Sequence, residues 1–417
     1  MAQLVLDLFY SIGNCLNCFP GSPTLKINSR SFKILRLLGE GGFSYVYLVE
    51  DTATHELFAL KKIRCPFGAE SVQQAMREVD AYRIFSHIPT IISMIDHCVA
   101  TERGASSGGN IGGGGGDEAN KTVYVLLPYY RRGNLQDMIN ANLVNHASFP
   151  ERRLMVLFLG VCKALRAMHV YKGPVERMEM GREEDQAGGP SSGTRRTEHE
   201  EEGEQERPLM ESENKISAGG KTQSYAHRDI KPGNIMIDDS GSTPILMDLG
   251  SVAPSPIPVT SQSQALQIQD TAAEHSTMPY RAPELFDVRS GSVVDAASDI
   301  WSLGCTLYAC LVGKSPFEMR SDETGGTLSL CVLGGDWRFP DEGPKGVKRT
   351  NSMKRPQQQQ EAGAAGGGGG SDAVEISEPI REIVRKCLRV EQAERPDIDE
   401  LIEMVEDVIE ELPEDSE

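Results

Sequence analysis

Residues 39–46, "GEGGFSYV", put three glycines into four positions between two apolar runs. Glycine loses more conformational freedom on folding than any other residue, so such a cluster needs a reason. One reason is a plain hairpin turn. Another is a backbone that must come close to a ligand, and a phosphate is the usual one at a glycine-rich loop. The stretch alone does not decide between them. Further residues of chemical interest follow in "FALKKI", "REVDAY", "HRDIKPGN", "MDLG", "RAPE", "SDIWSLG" and "ERP", in that order. Taken singly each is weak: a lone strand lysine is most often a solvated side chain. Their fixed order carries the weight.

These residues need elements to position them. "FKILRLLG", "SYVYLVEDT" and "LFALKKIR" alternate and are rich in β-branched or aromatic residues, as strands are. Residues 71–86 have helical spacing, with Val72, Ala75, Met76, Val79, Tyr82 and Ile84 grouped largely on one side. "TVYVLLPYY" is a further strand, stopped by Pro128. Beyond Gly133 the pattern turns helical, over 135–141, 150–170, 299–313 and 375–389. A small sheet-rich front half thus precedes a larger helical half.

Three segments do not have the composition of a core. Residues 101–119 are Gly/Ser-rich, 174–223 are rich in Glu, Arg, Gly and Ser, and 341–373 contain "QQQQ" and "AAGGGGG". They read as disordered inserts. The net charge of −19 argues against a nucleic-acid partner. From Glu391 to Glu417 there are thirteen acids against one base, Arg395, which reads as a solvated acidic helix face and tail. The nine cysteines are odd in number and lie mostly in apolar runs, which fits a reducing compartment. Cys15 and Cys18 form a C-x-x-C pair without a second pair of matching spacing, so a zinc site is not expected. No apolar run approaches the roughly 18 residues of a spanning helix.

The ordered motifs resemble the protein-kinase family over about residues 31–410. The resemblance implies an α+β, bilobal fold: a small β-rich lobe with one regulatory helix (31–133) and a larger helical lobe (134–412), ending in an acidic tail (413–417). It implies transfer of the γ-phosphoryl group of ATP to protein hydroxyls, with Mg²⁺. Positioning and charge neutralisation dominate that chemistry. Gly39 and Gly41 would lie over the phosphates, with Ser44 in place of the family's third glycine. Val46, Ala59, Leu127, Pro128, Tyr130 and Met236 would line the nucleotide site. Lys61 would hold the phosphates, paired with Glu78; Lys62 has the opposite strand parity. Glu78 is preferred to Asp80 because it shares a helix face with Tyr82, four residues on. Asp229 would accept the substrate proton, and Lys231 would neutralise the phosphoryl group, as in serine/threonine kinases. Asn234 and Asp248 would hold the metal. Leu249 replaces the family's phenylalanine and would fill the same apolar slot. His227 would be structural, Asp299 would tie down the catalytic loop, and Glu284 would pair with Arg395.

"LGEGGFSYVYLVED", "LLPYYRRGNL", "YAHRDIKPGNIMI" and "YRAPELFDV" resemble most closely the Numb-associated kinase branch, near its lipid-anchored Golgi member and its fungal vacuole-membrane relatives. That branch implies autophosphorylation and a helical activation segment, here Asp248 to Glu284, with Ser276, Thr277 and Tyr280 as candidate phosphosites. Ala2 stands where N-myristoylation needs glycine. Residues 1–30 are therefore read as an anchoring segment. Leu4, Leu8 and Ile12 recur every four residues ahead of Cys15 and Cys18, the candidate S-acylation sites. The expected location is the cytosolic face of an endomembrane.

Overall fold

The computed structural model describes residues 24–101, 121–172, 223–342 and 376–414. Cys15, Cys18 and nearly all of the three inserts lie outside the described residues. The first lobe is built on six strands: β1 (Thr24–Ile27), β2 (Arg30–Glu40), β3 (Ser44–Asp51), β4 (Leu57–Cys65), β5 (Asp96–Thr101) and β6 (Lys121–Pro128). They pair antiparallel in the order β1-β2-β3-β4-β6-β5. The sheet starts earlier than expected, because β1 falls within residues 1–30. Asn28, at φ +50°, makes the tight turn into β2, and its side-chain amide donates to Asp96 Oδ1 at 2.8 Å.

Strand alternation gives this sheet two apolar faces. One buries Phe32, Val49, Phe58, Leu60 and Leu126. The other buries Val123 and Val125 against helix α1 (Gly68–Ile84). The helix turns Ala75, Val79, Tyr82 and Ile84 inward, the stripe expected from its spacing.

The second lobe is helical: α2 (Leu135–Asn145), α3 (Glu151–His169), α4 (Gln262–His275), α5 (Ala297–Val312), α6 (Pro316–Thr324), α7 (Leu328–Leu333), α8 (Glu378–Cys387) and α9 (Ile398–Glu411). Every residue of α5 from Ser298 to Cys310 is buried, as a helix apolar on all sides should be. Gly304 allows the contact with α8: a Cβ there would stand 2.6 Å from Cys387 Cβ. The acidic C-terminal stretch is only half solvated. In α9, Ile398, Leu401, Ile402, Val405 and Val408 are buried while the acids face outward. Asp397 caps α9, reciprocally with Glu400. The expected Glu284–Arg395 pair is present and bidentate, at 2.8 and 2.9 Å, with the guanidinium over the Trp301 ring. A short hairpin, β8 (Ile235–Ile237) with β9 (Pro244–Leu246), and the antiparallel pair of β7 (Ser224–Ala226) with β10 (Ala253–Ser255) that brackets it in sequence carry the loops of the functional site.

Candidate active site

Sheet register aligns the first set of functional residues. Gly39 pairs with Val46, Val46 with Lys61, and Lys61 with Val125. Ala59, two residues before Lys61, pairs with Leu127 and shares the lysine's face. Lys62 has the opposite parity and pairs in register with Tyr45 and Tyr124. Met236, Pro128 and Tyr130 are half-buried along the join between the lobes, where Met236 bridges to Asn134.

Lys61 Nζ donates to Glu78 Oε1 and to Asp248 Oδ1, both at 2.7 Å. Helix α1 supplies Glu78 from its inner face, and the Tyr82 hydroxyl one turn on donates to the same Oε1 at 2.8 Å. Asp80 instead pairs with Arg83 at the surface. Burial alone would lower the Lys61 pKa, but the Asp248 and Glu78 carboxylates more than reverse this and it is raised. The Lys61 charge, with the lysine's hydrogen bond, holds Asp248 down to about 2 against the opposing effect of burial. Asp248 has φ +62°, a left-handed conformation that Asp tolerates better than most residues. Leu249 beside it is buried, filling an apolar slot.

The second set sits on the loop after β7. Asp299, fully buried in the first turn of α5, accepts the backbone N–H groups of His227 and Arg228, each at 2.7 Å. It also contacts His169 Nε2 at 3.0 Å. Burial pushes its pKa up, but the His169 hydrogen bond and the surrounding imidazole and backbone donors bring it below the usual carboxylate value. His227 is wholly buried. Its Nε2 donates to the Met247 carbonyl at 3.0 Å, and its Nδ1 accepts the Asp229 N–H at 3.3 Å. Both ring nitrogens are thus occupied by the backbone, the structural role expected for it.

Asp229 is clamped on both oxygens. Oδ1 accepts the Thr277 N–H at 2.8 Å; Oδ2 accepts Lys231 Nζ at 2.8 Å and Asn234 Nδ2 at 2.9 Å. Asn234 Nδ2 also donates to the Asp229 carbonyl at 2.8 Å. With its nitrogen so used, the Asn234 amide keeps its oxygen for another partner. Asp248 and Asn234 therefore offer an anionic carboxylate and a carbonyl oxygen, donors of the hard type that divalent cations such as Mg²⁺ take. A Cβ on Gly39 would meet no protein atom within 4 Å, so packing inside the protein does not explain that glycine.

The candidate phosphosites have other engagements. Thr277 Oγ1 accepts Lys231 Nζ at 2.7 Å. Ser276 Oγ donates to the Ala272 carbonyl at 2.6 Å and accepts Arg281 Nε at 2.7 Å. The Tyr280 ring is buried and its pKa is raised by that burial. Thr277 thus docks the activation segment onto the catalytic loop, Ser276 ties the end of α4 to Arg281, and the Tyr280 carbonyl accepts Ser302 Oγ of α5. Sequence reasoning missed this role for Thr277, the Tyr82 hydroxyl at Glu78, and His169. Only Tyr82 left a signal, its four-residue spacing from Glu78.

A protein kinase domain profile matches residues 32–173 and 222–405, most of the chain. The chain is a protein kinase. It is similar to the serine/threonine-protein kinase ENV7 of Saccharomyces cerevisiae, at 31% identity over 98% of this chain and 100% of that protein. It is also similar to the serine/threonine-protein kinase ppk13 of Schizosaccharomyces pombe, at 34% identity over 76% of this chain and 82% of the relative. Human serine/threonine-protein kinase 16 is 33% identical over 76% of this chain and 80% of its own length. The kinase is thus a serine/threonine enzyme that uses ATP and a divalent metal ion to phosphorylate proteins. Among the described residues no helix is long and apolar enough to cross a membrane.

Proposed function

We propose that this kinase carries out its chemistry with Asp229, Lys231, Asn234, Asp248, Lys61 and Glu78. The observation that carries this reading is the double engagement of Lys61 Nζ with Glu78 and Asp248, 2.7 Å from each. It ties the regulatory helix, the strand lysine and the start of the activation segment into one arrangement. ATP, when bound, supplies the phosphoryl group, and the divalent ion, which we take to be Mg²⁺, neutralises its charge. The chain's own residues do the rest. Gly39 and Gly41 keep the loop backbone free of side chains, and Val46, Ala59, Leu127 and Met236 provide the apolar slot for the base. Pro128 and Tyr130 flank its edge. Lys61 orients phosphate oxygens, and Glu78 with Tyr82 fixes the lysine's direction. Asn234 and Asp248 present their oxygens to the cation. Asp229 takes the proton from the acceptor serine or threonine hydroxyl, and Lys231 offsets charge on the moving group. Replacing Asp248 with Ala removes a metal ligand and little packing. It is expected to abolish transfer while leaving the fold intact; undiminished transfer would refute the assignment.

We also propose placement in the Numb-associated branch, on the strength of the loop sequences quoted above. We further propose S-acylation of Cys15 and Cys18, anchoring the kinase to the cytosolic face of a Golgi or vacuolar membrane. Across residues 1–30, Lys26 and Arg30 outweigh Asp7 by one charge, so electrostatics alone would not hold the chain there. Acyl chains contribute about 0.8 kcal/mol per buried methylene, and two chains give stable anchoring where one gives reversible binding. A Cys15→Ser, Cys18→Ser double variant is expected to leave the membrane fraction and keep its rate on a free peptide. Retention after a carbonate wash would show that the anchor lies elsewhere.

A further inference from the structure

The two tips nearest the glycine-rich loop are unusual for turns, which favour small polar residues. Phe43 ends the loop between β2 and β3, and Phe67 ends the connection from β4 to α1. Both are largely exposed, 54% and 69%. Exposed singly, large apolar side chains at loop tips gain nothing. Here they meet edge to face, with ring centroids 6.1 Å apart and planes at 73°. The backbone supports the same approach: the Arg64 N–H donates to the Phe43 carbonyl at 2.8 Å. The Arg64 guanidinium lies over the Tyr45 ring, 5.1 Å from its centroid. Phe67 is fixed in turn, because its N–H donates to Ser71 Oγ at 3.0 Å in the first turn of α1.

We propose that Phe67 is a positioning residue for nucleotide binding: it clamps Phe43, holding the glycine loop down and joining it to the start of the helix that carries Glu78. The loop from Gly41 to Phe43 has two glycines in three residues and one internal backbone bond, Gly41 N–H to the Ser44 carbonyl at 2.8 Å. Such a loop samples many positions unless something outside it selects one. The ring contact, acting with the Arg64 N–H bond to the Phe43 carbonyl, is that selector. It also makes loop position and α1 position interdependent, since Phe67 immediately precedes Gly68, the first residue of the helix. The inference rests on the reading that this loop covers the nucleotide phosphates.

The test is steady-state kinetics on the full chain, with ATP and peptide varied separately. An edge-to-face aromatic pair is worth enough to raise the KM for ATP about two- to tenfold in Phe67→Ala. The kcat and the KM for peptide are expected to stay within about twofold of wild type, since only nucleotide binding is loosened. Phe67→Tyr keeps the ring and is expected to restore the KM for ATP. In a double-mutant cycle Phe43→Ala and Phe67→Ala are expected to be non-additive, the double variant resembling either single one. An unchanged KM for ATP in Phe67→Ala, or fully additive effects in the cycle, would overturn the clamp. Gly41→Val separates the two levels of the argument. If it raises the KM for ATP and Phe67→Ala does not, the clamp alone is wrong. If Gly41→Val leaves the KM unchanged, the loop reading falls and the clamp with it.

Discussion

Replacing Asp299 with Asn isolates the support beneath the catalytic loop from the groups that touch substrate. The carboxylate is fully buried and accepts the His227 and Arg228 N–H groups and His169 Nε2. Asparagine preserves the shape but keeps one acceptor oxygen and no charge. Its amide nitrogen must then face a donor that the carboxylate used to satisfy. Hydrogen bonds to charged groups contribute about 1.5–3 kcal/mol, and an orphaned buried donor costs about 1–3 kcal/mol. Since some bonds survive in weaker form, a loss of about 3 kcal/mol in unfolding free energy is expected. For a domain of this size that corresponds to a fall of about 4–5 °C in melting temperature. The loop it supports carries Asp229, and a misplacement of about 1 Å at reacting groups costs about a hundredfold in rate. The expected signature is therefore a reduced kcat with a nearly unchanged KM for ATP, because the Lys61–Glu78 pair is held by other elements. Calorimetry and peptide kinetics on the same preparation read both. A variant that melts with wild type and turns over at the wild-type rate would refute the reasoning.

Two further outcomes follow from charge and topology. The folded-state pKa of Asp248, about 2, lies below its unfolded value of 3.8, so the group adds stability that is present above pH 4 and lost as pH falls toward 2. Urea unfolding over that range is expected to show a steeper loss for wild type than for Asp248→Asn; equal slopes would mean the Lys61–Asp248 pair is absent in solution. Joining Lys172 to Gln223 through a short linker, in place of the intervening insert, is expected to leave activity within a few-fold. The insert's ends are already adjacent, Tyr171 and Gln223 exchanging backbone bonds at 3.0 and 3.2 Å, and loop length changes closure cost only slowly. Failure to fold would show that the segment is structural.

What the sequence revealed and what it hid divide along physical lines. Strand parity separated Lys61 from Lys62, and helix period separated Glu78 from Asp80, because both are local repeats of the backbone. The ordered motifs located Asp229, Asn234 and Asp248 and anticipated the hold of Asp299 on the loop. Contacts without a local period were invisible. Thr277 looked like an acceptor hydroxyl because nothing in its neighbourhood records that Asp229 and Lys231, more than forty residues earlier, occupy its N–H and Oγ1. Tyr82 read as core packing, which it is, while its hydroxyl at Glu78 needed coordinates. Short elements also escaped: α7 spans six residues and β1 four, too few for periodicity to build up. In α9 the acids masked an apolar stripe with clear helical spacing.

The central claim is that Lys61, Glu78, Asp229, Asn234 and Asp248 form one phosphoryl-transfer site. Its most direct measurement is transfer of the labelled γ-phosphoryl group of ATP to serine and threonine of a protein substrate, with and without Mg²⁺. Purified wild type and Asp248→Ala would be compared, each shown by circular dichroism to be folded. The account expects Mg²⁺-dependent labelling by wild type and none above background by the variant. Labelling by the folded variant at the wild-type rate would contradict it.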